Sequence, residues 1–346
     1  MSRRLAVTVL SVRHPMGQQA YDREIVRRAP GALGQGWAVK AISVGGVVPG
    51  SRSLRVPGRV IAVDGPCLRR AVGRAVHAGY DLVHRTDLRL PPAPREVLTV
   101  HDAVSWRYPD EGAPPFAAVT EVKEARAVVC PSQFSADEVH SVLGVDPVAI
   151  PNGVDEAAFT ASPASPSTLR GLGITGPFVL HAGGSSLRKN LEGLAGAWPL
   201  VARARPDLSL VLIGPYSARR DRLFRDLPAT VLPGWVDAEA RLSLLASAAV
   251  VVLPSLYEGF GLPALEAMAV GTPVVAARRA ALPEVCGDAA HLVEPDPRSL
   301  ADGILDLLDV DNPDVRALVA RGRDRAARMT WAGSVAAHAE LWRAVA

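Results

Sequence analysis

The chain is poor in cysteine, in aromatic residues and in long apolar runs, and each scarcity excludes a class of protein. Its three cysteines, Cys67, Cys130 and Cys286, have no paired spacing, which predicts free thiols in a reducing compartment and no zinc site. Aromatic residues make up 5% of the 346 residues and hydrophobic residues 49%, which indicates an Ala, Val and Leu core of helices packed on parallel strands. No run of about 18 apolar residues occurs, so the sequence predicts no transmembrane segment and a cytoplasmic protein.

The sequence also lacks a large excess of positive or negative charge, and it lacks metal-binding patterns. Lysine and arginine number 38 against 35 aspartates and glutamates, and a formal net charge of +3 is too small to indicate a nucleic-acid partner. No His/Cys cluster has metal-ligand spacing and no aspartate pair suited to a divalent ion is apparent, so no metal is predicted. The first strand is not followed by Gly-x-Gly-x-x-Gly, which counts against a nicotinamide-dependent oxidoreductase. The sequence predicts no cofactor.

Apolar runs alternate with amphipathic stretches along almost the whole chain, as is typical of βαβ units with a parallel sheet. The Pro/Ser-rich stretch 161–168 separates two such series and indicates an interdomain linker. The sequence therefore predicts two Rossmann-like, doubly wound α/β domains, 1–168 and 169–346, facing each other across a cleft. The last helix, about 331–346, is expected to pack on one domain or on both. Ligands of such sheets bind at the carboxyl ends of the strands.

The stretch from Pro254 to Val275 says most about function. Glu258 follows a buried-type strand, Gly259 and Gly261 flank a turn, and Glu266 lies in the first turns of the next helix. The glycines permit a positive φ and a close approach of backbone to ligand, and the helix N-terminus attracts an anion such as a diphosphate. Carboxylates would repel a phosphate but accept hydrogen bonds from sugar and ribose hydroxyls. The stretch predicts a nucleotide-sugar site; solvated carboxylates beside a turn are the structural alternative.

Adjacent cations follow the first strand of the second series. Arg188 and Lys189 come after the turn at Gly183 and Gly184, where a helix begins. Cations at a helix start oppose the helix dipole unless an anion binds there. The pair therefore predicts a diphosphate clamp, with Arg as a bidentate donor and Lys as a point charge. A solvated helix N-terminus is the alternative.

Further candidates lie at the ends of other strands. His101 is suited to a sugar hydroxyl or to developing charge, and Asp102 is suited to orienting that histidine or to the acceptor. Gly17 lies in the first strand–helix turn, and Trp235 lies after a strand of the second series, where it would border a nucleobase. A structural histidine and a core or surface tryptophan are the alternatives.

Taken together, these residues resemble the retaining glycosyltransferases of family 4, which have the GT-B fold. The motif is a glutamate with Gly-Phe-Gly after it and a second glutamate eight positions on, here Glu258, Gly259–Gly261 and Glu266. The other matching stretches are Thr99–Asp102, Tyr108–Pro109, Val129–Ser132, Phe134–Ser135, Ile150–Asp155, Arg188–Asn190 and Gly234–Val236. The chain departs from the family in its first loop, Met16-Gly17-Gln18, and at His181, where a small residue is common.

The resemblance implies a metal-independent, retaining transfer of a sugar from a nucleoside-diphosphate sugar to a hydroxyl acceptor. The catalytic residues that it implies are His101, Glu258, Arg188 and Lys189. With the positions singled out above, the predicted substrate-binding residues are Gly17, Asp102, Gly259, Phe260, Gly261, Leu262, Glu266 and Trp235. Within these sets, the resemblance implies that Glu258 binds the donor sugar and that Glu266 binds the ribose. The resemblance also implies that the backbone N–H groups of residues 260–262 bind the diphosphate together with Arg188 and Lys189.

Several alternatives stay open at this point. GDP-mannose is the first candidate donor, from the similarity of residues 84–102 to bacterial mannosyltransferases, and UDP-linked hexoses or N-acetylhexosamines are the second. The acceptor is a sugar, a lipid-linked sugar or a natural product. A sugar-nucleotide epimerase and a catalytically silent sugar-nucleotide binding protein are rival functions. The oligomeric state is not readable from the sequence.

Overall fold

The computed structural model describes residues 2–12, 17–46, 54–58, 60, 63 and 65–346. They form two compact units, the first comprising Met1–Gly153 with Trp331–Ala346 and the second Val154–Thr330. The boundary at Gly153 differs from the predicted one at residue 168, because the intervening residues pack on the second unit. The backbone N–H of Ala164, within the predicted linker, donates to Ser247 Oγ (2.7 Å) and to the Ser243 carbonyl (3.3 Å).

The first unit is a parallel sheet flanked by helices. Its strands, in the order β3-β2-β1-β4-β5-β6-β7 among the described residues, are β1 Arg3–Leu10, β2 Trp37–Val44, β3 Leu54–Val56, β4 Leu82–Arg85, β5 Glu96–Thr99, β6 Ala127–Cys130 and β7 Val148–Ala149. Its helices are α1 Gly17–Leu33, α2 Pro66–Val76, α3 Val104–Arg107, α4 Ala118–Glu124, α5 Gln133–Leu143 and, in chain order the last of the protein, α14 Trp331–Val345. The strand order reverses between β1 and β4, which makes the sheet doubly wound as predicted.

The second unit repeats this architecture. Its strands, in the order β10-β9-β8-β11-β12-β13, are β8 Phe178–Ala182, β9 Ser209–Ile213, β10 Thr230–Gly234, β11 Val250–Leu253, β12 Val274–Ala277 and β13 His291–Val293. Its helices are α6 Pro166–Gly171, α7 Leu191–Ala204, α8 Ala218–Phe224, α9 Ala238–Ser247, α10 Leu262–Val270, α11 Leu282–Cys286, α12 Pro297–Asp306 and α13 Pro313–Arg328. Here the order reverses between β8 and β11, so the crevice at their carboxyl ends is the expected ligand position.

Aliphatic side chains fill both cores, as the low aromatic content predicts. In the second unit, Val179, Leu212 and Val250 of the sheet pack with Leu194 of α7, and Trp198 is fully buried among them. The Trp198 indole N–H donates to the Pro228 carbonyl at 2.6 Å, so its burial leaves no donor unpaired.

A buried ion-pair network supports the end of β4 in the first unit. Arg85 is fully buried and donates to Glu96 (2.7 Å) and to Glu121 (2.8 Å), and Arg69 also donates to Glu121 (2.7 Å). Both arginines also donate to the Leu90 carbonyl. Removing one member would leave a buried charge unpaired, which commonly costs about 3–5 kcal/mol. The network therefore fixes the segment that follows β4.

The final helix α14 belongs to the first unit, where it packs on α1. The His338 Nδ1–H donates to the Ser334 carbonyl (2.8 Å), so Nε2 of the neutral ring accepts from the Tyr21 hydroxyl (2.9 Å). Tyr21 is also hydrogen-bonded to Thr99 (2.7 Å), which contacts His84 (2.8 Å). This buried chain of polar groups ties α14 to α1, β4 and β5.

Candidate functional site

The two segments that were predicted to form the site lie next to each other in the second sheet, where the strand order reverses between β8 and β11. Arg188 and Lys189 follow β8, and Glu258 follows β11; because these strands are parallel neighbours, the segments after them lie at the same edge. The Lys189 ammonium lies 2.6 Å from one Glu258 carboxylate oxygen, and the Arg188 guanidinium lies 3.0 Å from the other. The structure thus brings three predicted site residues into direct contact.

Glu258 is a buried, fully ionised carboxylate. It is 7% exposed, and its Oε1 also accepts from the Ser255 hydroxyl at 2.7 Å. Burial alone would raise the pKa of Glu258, but the charges of Lys189 and Arg188, with hydrogen bonds from Lys189 and Ser255, outweigh it and lower the pKa to about 2. The cations therefore have an anionic partner within the protein, which the helix-dipole argument from the sequence did not anticipate.

A short turn, and not the helix itself, holds the cationic pair. Leu187–Lys189 form a 3₁₀ turn, and Asn190 adopts a left-handed conformation (φ 51°) directly before α7. The Asn190 amide donates to the carbonyls of Pro254 (3.0 Å) and Pro295 (2.7 Å). Asn190 therefore connects the cationic turn to the segment that leads into Glu258.

The glycine turn leads into α10 as predicted. Gly261 has a φ of 105°, and a Cβ there would lie 2.8 Å from the Leu282 side chain, so the position requires glycine. Helix α10 starts at Leu262 and places the first backbone N–H groups beside this turn.

Glu266 has a partner that the sequence did not reveal. It is 5% exposed, in the second turn of α10, and forms an ion pair with Arg241 of α9. A carboxylate has about four acceptor positions, so this contact leaves capacity for ribose hydroxyls. Trp235, which follows β10, is 39% exposed and so presents part of its indole to solvent.

The remaining candidates belong to the first unit. His101 follows β5; its ring lies edge-on to Tyr21 (centroids 4.9 Å apart), and its Nε2 is buried without a hydrogen-bond partner. Burial lowers the pKa of His101 to about 4, so the imidazole is neutral near pH 7. An Asp102 carboxylate oxygen accepts from the Val104 N–H (3.1 Å), and Gly17 opens α1. Met16 lies outside the described residues. The place of these residues in a site stays a prediction.

His181 occupies the strand position where the family resemblance predicts a small residue. It is buried in β8, and its Nδ1–H donates to the Val252 carbonyl at 3.1 Å. Burial lowers the pKa of His181 to about 4, with the charges of Arg220 and Lys189 acting in the same direction. The histidine is therefore a neutral strand residue beside the cationic pair.

Among the residues that the structure describes, no three His, Cys, Asp or Glu side chains are grouped closely enough to hold a metal ion. The sequence does contain one Asp-x-Asp, Asp309-Val310-Asp311, which the prediction overlooked. There the Asp309 carboxylate accepts from the Asp311 N–H (3.1 Å) in an exposed turn before α13. Metal independence stays a prediction. No described helix is both long and apolar enough to cross a membrane.

Two family models match the chain. One, described as Glycosyltransferase Family 4, matches residues 3–158, and the other, described as Glycosyl transferases group 1, matches residues 176–310. The two matches take in most of both structural units, and the second contains the cationic turn and both glutamates.

Sequence relatives match over part of their length. The O-antigen chain mannosyltransferase B of Escherichia coli is 36% identical over 162 residues, which are 44% of this chain and 42% of that protein. A GDP-mannose-dependent alpha-(1-6)-phosphatidylinositol dimannoside mannosyltransferase of Mycobacterium tuberculosis is 30% identical over 211 residues, 57% of this chain and 53% of that protein. The chain therefore spans about half the length of these relatives.

The fold has close counterparts among solved structures. Sucrose-phosphate synthase from Thermosynechococcus elongatus matches with a TM-score of 0.77, over 99% of this chain and 98% of that chain, at 23% sequence identity. This likeness confirms the predicted GT-B fold class.

Proposed function

Because this chain belongs to the family 4 glycosyltransferases, we propose that it transfers a sugar from a nucleoside-diphosphate sugar to a hydroxyl acceptor, with retention of configuration. One observation carries the proposal: Arg188 and Lys189 converge on the buried Glu258 at the reversal point of the second sheet. A diphosphate binds to cations, and the hydroxyls of the sugar attached to it donate hydrogen bonds to a carboxylate. A nucleotide-sugar site therefore needs both kinds of group side by side, as they are here.

Arg188 and Lys189 are both residues with several hydrogen-bond donors. A lysine ammonium has three donors and an arginine guanidinium five. In this proposal the diphosphate accepts hydrogen bonds from these two side chains and from the N–H groups at the start of α10. As the bond between the sugar and the diphosphate breaks, negative charge grows on the departing phosphate, and the two cations stabilise it.

The glutamates and His101 have separate parts in the proposal. Glu258 accepts hydrogen bonds from hydroxyls of the transferred sugar, and Glu266, held by Arg241, accepts from the ribose. His101, neutral near pH 7, hydrogen-bonds the transferred sugar. The acceptor hydroxyl attacks from the face that the nucleotide leaves, so the anomeric configuration is retained.

The proposed donor is GDP-mannose. Its support is the similarity to proteins named as mannosyltransferases, one of them named as GDP-mannose-dependent. A UDP-hexose or UDP-N-acetylhexosamine is the alternative donor. The proposed acceptors are a sugar, a lipid-linked sugar or a natural product.

A thermal-shift panel of GDP- and UDP-sugars tests donor binding. A donor at about 100 times its dissociation constant should stabilise the protein by roughly 2.7 kcal/mol. We expect GDP-mannose to give the largest shift, and Lys189→Ala to reduce it. A shift from no nucleotide sugar, or an equal shift in the wild type and in Lys189→Ala, would count against the site.

A further inference from the structure

Two consecutive arginines hold the turn that precedes the cationic pair. In α8, Arg220 donates to the carbonyls of Gly183 and Gly184 (3.0 Å to Gly184), and Arg219 donates to the Ser185 carbonyl. Arg220 also contacts the Pro215 carbonyl at 3.4 Å. Three consecutive carbonyls after β8 are therefore held by guanidinium groups just before the turn that carries Arg188 and Lys189.

The two arginines differ in how their charges are balanced. Arg219 forms an ion pair with Glu192, whereas Arg220 contacts only carbonyl groups among the described residues. Arg220 is 3% exposed, and its Nε has no hydrogen-bond acceptor. Burial lowers the pKa of Arg220, yet a guanidinium stays protonated in proteins. A buried charge without a counter-ion is costly, so this arginine is expected to have a partner that the protein itself does not supply.

The position of Arg220 is set by close backbone packing. Gly214 has a φ of 140°, and a Cβ there would lie 2.1 Å from the Gly183 carbonyl oxygen and 3.0 Å from the Arg220 guanidinium. The charges of Arg220 and Lys189 both act on the buried His181 ring. Arg220 donates to the Gly183 carbonyl, and a Cβ at Gly183 would lie 3.8 Å from the Lys189 side chain, so Gly183 lies between the two cations. The place of Arg220 depends on glycine at 214.

We propose that Arg220 is a positioning residue of the diphosphate site: it fixes the carbonyls of Gly183 and Gly184 and adds a cation that a bound nucleoside diphosphate balances. This inference rests on the proposed function. Arg188 and Lys189 both contact the Glu258 carboxylate, whereas the Arg220 guanidinium contacts only carbonyl groups among the described residues, so Arg220 brings a further positive charge to this end of the sheet. Arg219, already paired, adds no net charge.

Calorimetric titration with GDP and guanosine, and with UDP and uridine, tests whether Arg220 acts through its charge or only through its structural role. Arg220→Met removes the charge and should weaken nucleoside diphosphate binding about tenfold or more, the range expected for losing an interaction with a charged group. Binding of the nucleoside, which has no phosphate, should stay unchanged. Arg220→Lys keeps the charge and should retain most of the preference for the diphosphate over the nucleoside. Arg222→Met, an exposed position on the same helix, is the matched control.

Three outcomes would overturn the inference. In the first, Arg220→Met binds the nucleoside diphosphate as tightly as the wild type does. In the second, it loses affinity for nucleoside and diphosphate equally, which would show a structural part only. The third outcome applies if Arg220→Met does not fold: a folded Arg220→Lys variant then loses the preference for the diphosphate over the nucleoside. A wild type that binds neither GDP nor UDP would instead overturn the proposed function, and this inference with it.

Discussion

At the scale of single residues, Lys189 connects the buried carboxylate to the proposed diphosphate. Lys189→Ala should weaken binding of the nucleoside diphosphate by about 1.5–3 kcal/mol, because a charge-assisted contact is lost. The measurement is calorimetric titration with GDP and UDP. Lys123→Ala, an exposed lysine of α4, is the matched control and should bind as the wild type does. Unchanged affinity in Lys189→Ala would refute the clamp.

The two glutamates should respond differently to substitution. Glu258→Gln keeps the shape but removes the charge that neutralises Arg188 and Lys189, so affinity for the nucleoside diphosphate should hold or rise. The rate of sugar transfer should fall, because weaker hydrogen bonds to the sugar affect the transition state most. Glu266→Ala should weaken binding of donor and nucleoside diphosphate alike, since the ribose is common to both.

These expectations are checked by titrating each variant with nucleoside diphosphate and by measuring transfer at saturating donor. Glu239→Ala, an exposed glutamate of α9, serves as the control. If Glu258→Gln loses affinity for the nucleoside diphosphate while Glu266→Ala does not, the two roles are reversed.

At the scale of elements, α14 depends on a neutral histidine. Burial lowers the pKa of His338 to about 4, below the value of about 6.5 for an unfolded chain. The unfolded state therefore takes up a proton first, and the stability contributed by the neutral ring, complete above pH 6.5, is lost as the pH falls from 6.5 towards 4. The expected loss is about 1.4 kcal/mol per pH unit for each such histidine.

Urea unfolding at several pH values between 7 and 5 tests this dependence. His338→Gln should lose less stability on acidification than the wild type, although it is less stable at pH 7. Parallel curves for wild type and His338→Gln would show that His338 is not the titrating group.

At the scale of the whole molecule, sequence periodicity predicted both doubly wound sheets, because alternating apolar and amphipathic runs are local signals. The domain boundary was less predictable: Pro- and Ser-rich residues near Ala164 look like a linker, but their backbone is hydrogen-bonded to α9. The Glu258 motif is also local and indicated the site. The contacts of Glu258 with Lys189, 69 positions away, and of Tyr21 with His338, 317 positions away, follow only from the tertiary fold.

The activity of the whole molecule should survive removal of divalent ions. Arg188 and Lys189 already supply two positive charges where the diphosphate is proposed to leave. Transfer measured with and without EDTA should therefore proceed at the same rate. Activity that EDTA abolishes and manganese or magnesium restores would contradict this prediction.

The central claim is retaining transfer from a nucleotide sugar, and NMR analysis of the product tests it most directly. The protein is incubated with GDP-mannose, or with the UDP-sugar that stabilises it most, and with a hydroxyl acceptor. We predict release of the nucleoside diphosphate and a product with the same anomeric configuration as the α-linked donor. A β-linked product, or an epimerised nucleotide sugar formed without an acceptor, would contradict it.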